Sequence, residues 1–388
     1  MKRIIAVHLL NDRSGSPQVL RNALGCLRSA GCHIDLLTAT PDEEAGCLSG
    51  LPGVTMHALP YRWQPSRWRT LLSFCWVQLV VFAKVLRLAG PGTVVYVNSL
   101  LPGGAALAAR CRGARVVYHV HEVSLRPALL QRLLCGIVNL TADRVLFVSD
   151  FVRRQLALAV PHQEVVHNAL APGFIREANV LAAPLAEPFR VLMACSLKDY
   201  KGVPEFVDLA HALPDMAFDL VLNAAPAQVA RYQARCAVPA NLTLHASTAN
   251  MHAHYRRAAV VVNLSRPTEW VETFGLTILE AMQYGKPVIV PVVGGVGEVN
   301  VAGETGFAID GRDRAALERA LLLLQQFPRK YAAMSAACRR RAAAFAPGHF
   351  SEQIIRHFEA EFTQFPQRAR VPAPAPATFP RRAAPAIG

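Results

Sequence analysis

Residues 265–298 read SRPTEWVETFGLTILEAMQYGKPVIVPVVGGVGE, and this stretch decides the fold. Gly275 stands where a loop turns into a helix expected over 276–284, and the apolar run PVIVPV (287–292) follows within three residues. A short helix feeding directly into a β-branched apolar run is the repeating unit of a parallel α/β sheet. The helix start is chemically loaded. Its first N–H groups have no intrahelical acceptor and carry partial positive charge. A glycine there lets a ligand approach the backbone. Gly275, Leu276 and Thr277, which follow Phe274, can therefore cradle a diphosphate. Glu280 lies four residues after Leu276 on the same helix face, about 6 Å further along the axis. It can reach a ribose beside the diphosphate, and Glu272, in the loop before the turn, can reach a sugar on the other side. Taken singly, Glu280 reads as a charge partner on a half-buried helix and Glu272 as a solvated loop acid. Together, at this spacing, they fit a ligand with hydroxyls on both sides of a charged centre, as in a nucleotide sugar.

Working outward, Val/Ile-rich runs alternate with helix-length segments. Strands are expected at 3–10, 33–38, 54–59, 93–98, 115–120, 144–149 and 164–168, and again at 189–194, 218–223, 241–246, 259–265 and 287–292. This predicts two doubly wound α/β domains in series. Ligands of such sheets bind at the carboxyl ends of the strands, so two facing sheets place a cleft between them. The expected boundaries are an N-terminal domain over 1–170, a Pro/Ala-rich linker over 171–188, a C-terminal domain over 189–347, a last helix over 348–365 crossing back to the N-terminal domain, and a disordered Pro/Ala/Arg tail over 366–388.

The 388-residue chain is 52% hydrophobic and 18% charged, which suits a folded α/β protein. Its nine Cys form no CxxC pair and no Cys/His cluster, so they read as reduced thiols in a cytoplasmic compartment, and no metal site is expected. The net charge of +14 is uneven: residues 1–170 hold 18 Lys and Arg against 9 Asp and Glu, whereas 171–365 hold 19 against 18. Excess charge on one half points to a polyanion, either nucleic acid or an anionic membrane. The run TLLSFCWVQLVVFA (70–83) has fourteen residues without a charge, too few for a spanning helix of about 20. Arg62, Arg67, Arg69, Lys84 and Arg87 flank it, and three of the four Trp (Trp63, Trp68, Trp76) lie in or beside it. Two readings stand: a buried helix with a basic rim, or an interfacial segment with Trp and Arg at headgroup level.

With Glu272 and Glu280 separated by seven residues, the chain resembles the retaining GT-B glycosyltransferases of the family 4, group 1 type. Gly294, Gly295, Glu298, Gly303 and Gly306 are similar to the loop and strand entry that follow in that family, and Lys201-Gly202 to its Lys-Gly. The run VVYHVHE, ending in His121 and Glu122, resembles an acceptor-domain strand, and Ser149 and Asn168 match two further landmarks. The resemblance implies a GT-B fold and a UDP- or GDP-sugar co-substrate with no cofactor. It implies transfer with retention and without a metal to a lipid-linked or glycan acceptor in cell-envelope assembly. Glu272, His121 and Lys201 become the expected catalytic residues. Glu280, the 274–277 segment, Ser196, Lys198 and Gly202 become the expected donor contacts. Glu298 becomes a loop acid near the donor. Two positions depart from the pattern. Ser196 stands where the family usually has the Arg that clamps the diphosphate with Lys201, leaving Lys198 as a substitute cation. The loop NDRSGSPQVL has a single Gly15, so Gly15 and Ser16 read either as a phosphate contact or as part of a helix cap by Ser14 or Ser16. Glu122 reads as orienting the acceptor or its loop, and His119 shares a strand face with His121.

The expected partners are a nucleotide sugar, the acceptor and an anionic membrane at the inner face of the cytoplasmic membrane, with the chain a monomer or weak homo-oligomer. Nucleic acid is not expected, because the chain has no RNP, KH or helix-turn-helix signature. Three other readings compete: a nucleic-acid-binding protein explained by charge alone, a catalytically silent GT-B binding protein, and a GT-B epimerase or phosphorylase.

Overall fold

The computed structural model describes residues 2–40, 46–61, 66–180, 188–248 and 250–363. The first sheet is built from β1 (Arg3–Leu10), β2 (His33–Ala39), β3 (Val54–Ala58), β4 (Thr93–Asn98), β5 (Arg115–Val120), β6 (Arg144–Phe147) and β7 (His162–Val165). They are all parallel, in the order β3-β2-β1-β4-β5-β6-β7. The second sheet holds β8 (Arg190–Ser196), β9 (Ala217–Asn223), β10 (Leu242–His245), β11 (Val260–Val262), β12 (Val288–Val290) and β13 (Gly306–Ala308), again parallel, in the order β10-β9-β8-β11-β12-β13. The central strands are nearly all apolar because helices cover both faces. Each sheet reverses its order beside its first strand, which makes two Rossmann-like domains, with ligand crevices expected at those switch points.

The helix Pro347–Thr363 returns to the first domain. Phe350, Ile354 and Phe358 pack with Ile4, Val19, Leu20 and Tyr96. Glu361, fully buried on its last turn, meets Arg144 Nε at 2.9 Å and Arg115 Nε at 3.2 Å. A buried carboxylate between two guanidiniums fixes this docking, since removing either side strands a charge.

Several expectations are refined. Residues 172–180, expected to be part of the interdomain linker with no clear period, form the helix Pro172–Val180. β7 starts two residues earlier than expected, and β11 and β12 are only three residues each, because the apolar ends of both runs leave the sheet as loops. The fourteen-residue apolar run is the middle of a 22-residue helix, Arg67–Leu88. Val77, Val81 and Val85 are buried against the first sheet, while Trp68 (77% exposed), Leu72 (68%), Trp76 (58%) and Leu79 (63%) face outward. The buried-helix reading therefore fails, for only one face is covered. Among the described residues this helix alone has the length and composition to cross a membrane, but its valine face belongs to the domain core. Arg62, Trp63, residues 181–187 of the linker and the tail 366–388 lie outside the described residues.

Candidate active site

The donor side is assembled from the loops that leave β8, β11 and β12. After β11, Asn263 Nδ2 donates to Glu272 Oε2 at 3.1 Å. After β8, Lys201 Nζ reaches the same oxygen at 3.2 Å, and the ammonium lies 4.8 Å from the centre of the Trp270 ring. Trp270 in turn stacks on Tyr200, centroids 5.4 Å apart. Burial pushes the Glu272 carboxyl up, but the Lys201 charge and the bonds from Asn263 and Lys201 outweigh it and hold the group below its ordinary range. Glu272 is thus an anion at neutral pH, already paired with the cation expected to serve the diphosphate. Its backbone is fixed as well, since Gly295 N donates to Glu272 O at 2.8 Å.

Gly275 occupies the N-cap of the helix Leu276–Gln283 with φ +88°, a conformation that L side chains avoid. A Cβ there would lie 2.9 Å from Val296 Cγ2. Among the described residues the amides of Leu276 and Thr277 have no hydrogen-bond acceptor, so the helix start is left open, with the chemistry that suits an anion. Gly15, the first residue of the helix Gly15–Ser29 after β1, faces it: a Cβ at Gly15 would sit 3.6 Å from Leu276 Cδ1. Two helix N-termini, one from each domain, therefore adjoin across the cleft and add their positive ends. Ser14 takes the N-cap position but makes no side-chain cap; its Oγ bonds Asp12 Oδ1 at 2.5 Å instead.

Glu280 sits one turn into the helix, as its spacing requires, and is buried. Tyr255 Oη donates to its Oε2 at 2.5 Å. Burial pushes the carboxyl up to about 7, opposed by that bond. Glu280 is thus occupied by a tyrosine and close to its titration point. The Phe274 side chain is no ligand contact: it is 2% exposed and packs against His167 and Phe345, so only its backbone borders the site. Lys198 is exposed and unpaired among the described residues, whereas Lys201 holds the carboxylate. Ser196 ends β8, and Gly202 follows the turn Asp199–Lys201 with φ +83°.

The acceptor side gathers at the ends of β1, β4 and β5. His121 Nε2 lies 2.9 Å from Asn98 Oδ1. The Asn98 amide nitrogen reaches Ser16 O at 3.3 Å and His8 Nδ1 at 3.1 Å. Burial, then His119 and His8, pull His121 well below the ordinary histidine range, so it is neutral at physiological pH. His119 is fully buried behind it, bonded to Tyr96 Oη at 2.7 Å, with its pKa lowered to about 3 by burial; it is a core histidine. The Glu122 carboxylate turns back to accept from the Leu100 and His121 amides at 3.3 Å each, which settles it as a loop-holding group.

Glu298 is the clearest displacement from expectation. It accepts from the amides of Asp150 (3.0 Å) and Phe151 (2.7 Å), which open the helix Asp150–Leu156 of the first domain, and meets His167 Nε2 at 2.8 Å. It joins the two domains rather than facing a donor. Ser149 Oγ, donating to Thr273 O at 2.7 Å, adds a second tie beside it. Asn168, the other landmark, is buried next to His167 in sequence. One metal-ligand grouping exists among the described residues, Asp219, His245 and His254; Arg190 and Arg257 already occupy its carboxylate.

Sequence reasoning overlooked Asn98, Asn263, Tyr255 and Trp270. Only Asn98 had a usable signal, a polar residue ending an apolar strand beside the one that ends in His121.

Two family models match: "Glycosyl transferases group 1" over residues 183–341 and "Glycosyl transferase 4-like domain" over 14–169. The chain is 28% identical over 315 residues to a D-inositol 3-phosphate glycosyltransferase 1 of Catenulispora acidiphila, covering 71% of this chain and 73% of that one. It is 22% identical to a D-inositol 3-phosphate glycosyltransferase of an Arthrobacter species, covering 93% of each. Among solved structures, a sucrose-phosphate synthase of Thermosynechococcus elongatus superposes with TM-score 0.75 at 19% identity, covering 94% of this chain and all of that one. Anabaena HepE in complex with UDP and glucose gives 0.72 at 18%, covering 93% and 100%.

Proposed function

From the premise that the chain belongs to the GT-B glycosyltransferases of group 1, we propose that it moves a hexosyl unit from a UDP- or GDP-sugar to a hydroxyl of a lipid-linked or polysaccharide acceptor, with retention and without a metal, at an anionic membrane surface. One observation carries this reading: the open amides of the helix start at Gly275 are bracketed by Glu272 and Glu280 and adjoin a second helix start from the other domain.

The diphosphate lies on the amides of residues 275–277. Lys201 turns from Glu272 toward it and stabilises the charge that develops as the sugar–phosphate bond breaks. Glu272, freed of its cation but still held by Asn263, takes sugar hydroxyls. Glu280 exchanges Tyr255 for ribose hydroxyls. The acceptor hydroxyl attacks the anomeric carbon on the face the leaving group vacates and passes its proton to the departing phosphate oxygen, which takes the electron pair of the broken sugar–phosphate bond. His121, neutral and steered by Asn98, serves as a hydrogen-bonding group that places sugar and acceptor, not as a proton donor. The phosphate loop is supplied by Gly15 and Ser16, whose carbonyl is tied to the same Asn98.

Thermal stabilisation and slow hydrolysis across a panel of nucleotide sugars test the reading. One UDP- or GDP-sugar should stand out; a flat panel would favour a binding protein without turnover. The names of the curated relatives support a second acceptor class, a soluble inositol phosphate. Adding it to the panel beside lipid-linked acceptors separates the two.

A further inference from the structure

The helices Arg67–Leu88, Gly103–Cys111 and Ala128–Thr141 form one layer on the first sheet: Val77, Val81 and Val85, then Ala105, Ala106, Ala108 and Ala109, then Leu134 and Val138 share one buried cluster with Val95, Val97, Val116 and Tyr118. The middle helix is mostly Gly and Ala, with Gly103, Gly104, Ala105, Ala106, Ala108 and Ala109 all buried, and sinks between its neighbours. A Cβ on Gly104 would lie 2.5 Å from Gln78 O, and one on Gly103 would lie 3.2 Å from Ile137 Cδ1. The two flanking helices therefore stand proud of it, and both turn apolar side chains outward. The first presents Trp68, Leu72, Trp76 and Leu79; the second presents Leu129 (75% exposed), Leu133 (60%) and Leu140 (67%). A pair of exposed leucine and tryptophan stripes on one face exceeds the scattered apolar exposure of ordinary surfaces.

The charge around this face has one sign. Residues 45–142 contain a single acid, Glu122, and its carboxylate is turned inward onto the Leu100 and His121 amides. Neither flanking helix holds an acid. Arg69, Arg87, Arg126 and Arg132 are exposed and form no ion pair among the described residues. Apolar stripes rimmed by unpaired arginines complement an anionic lipid surface: side chains enter the acyl boundary while guanidiniums meet phosphate. The face also reaches the site. Ala128–Thr141 follows β5, and only residues 122–127 separate it from His121; Arg67–Leu88 ends just before β4 begins, so its own start lies toward the carboxyl ends of the parallel strands.

We propose that the bilayer seats on both flanking helices at once, as a two-rail surface whose N-terminal ends border the acceptor side of the cleft, so that the accepting hydroxyl is drawn from a membrane lipid. This deepens the membrane reading above and rests on it for the identity of the reaction.

The test uses the full chain in flotation with vesicles of phosphatidylcholine and phosphatidylglycerol (7:3) and of phosphatidylcholine alone. Quenching of tryptophan by brominated lipid gives the depth. Wild type is expected to float with the anionic vesicles and to lose binding as salt rises. L129S/L133S, which leaves the Trp-bearing helix intact, should weaken partition at least about tenfold, as should W68S/L72S. F327S, on an exposed phenylalanine in the second domain, should not change it. Nucleotide-sugar stabilisation, measured without vesicles, should be equal in all four proteins; this shows that each variant is folded, and a failure of this arm alone strikes the glycosyl-transfer reading rather than the docking. Partition of L129S/L133S equal to wild type would overturn the two-rail surface. So would wild type that ignores vesicles and forms a dimer that L129S/L133S dissociates, since the face then belongs to a second copy.

Discussion

Replacing Glu280 by Gln should change how stability depends on pH. Glu280 is 9% exposed, its carboxyl is raised from the ordinary 4.5 to about 7 chiefly by burial, and its one hydrogen-bond partner among the described residues is Tyr255 Oη. For an acid whose folded value exceeds its unfolded value, the folded chain keeps the proton that the unfolded chain has released between about pH 4.5 and 7. Stability therefore falls as pH rises through that window and levels off above it. A displacement of this size corresponds to about 3 kcal/mol. Gln accepts the Tyr255 hydrogen bond without titrating, so E280Q should gain about 3 kcal/mol relative to wild type between pH 4.5 and 7.5. Taking the difference removes the opposite slope from Glu272 and Glu298, whose carboxyls are held low in the fold and stabilise it less as pH falls through their own range. The assay is urea unfolding at four pH values, following the transition that UDP or GDP shifts and which therefore reports on the second domain. Parallel curves for the two proteins would refute the reasoning, because they would mean that Glu280 is solvated rather than sealed against Tyr255. Ribose hydroxyls are donors and prefer the carboxylate, so UDP or GDP binding at pH 6.5 should also release a proton in wild type and none in E280Q, readable by calorimetry in buffers of different ionisation enthalpy.

Lys201→Ala should weaken nucleotide-sugar binding by about 10- to 100-fold, the worth of one charge-assisted hydrogen bond, while Glu272→Ala abolishes turnover; titration calorimetry and initial rates separate the two. Gly275→Ala should cost about 1–3 kcal/mol, since alanine resists φ +88° and its Cβ meets Val296, and it should remove nucleotide stabilisation in a thermal melt. Glu298→Ala should cost about 2–3 kcal/mol by leaving the Asp150 and Phe151 amides without their acceptor, and hydrogen exchange should rise at the start of the helix Asp150–Leu156. Asn98→Ala frees the His121 ring and should lower kcat/KM by about 10- to 100-fold with donor affinity unchanged.

Much of this molecule is legible in its sequence because period and punctuation coincide. Runs such as TVVYVN and RVVYHV read as buried parallel strands, and Gly275 before a helix and a strand locates the open helix start proposed to take the diphosphate. Elsewhere local reading fell short for physical reasons. Glu298 follows a glycine loop and looks solvent-facing, but its partners are amides 147 and 148 residues away, brought in only by the packing of two domains. Phe274 stands in the middle of the ligand motif yet faces the core, because loop backbone and side chain point opposite ways. The tyrosine on Glu280 comes from a helix 25 residues upstream, which no helical spacing encodes. The run at 70–83 reads as short because its flanking basic residues interrupt the count; the helix continues through them, since arginine and lysine are good helix formers.

A crystal structure with bound UDP or GDP tests the central claim most directly. Phosphate oxygens are expected within hydrogen-bonding distance of the Leu276 and Thr277 amides, with Lys201 turned to them and the ribose on Glu280 in place of Tyr255. A nucleotide seated elsewhere, with the Lys201–Glu272 pair and the Tyr255–Glu280 bond both intact, would contradict it.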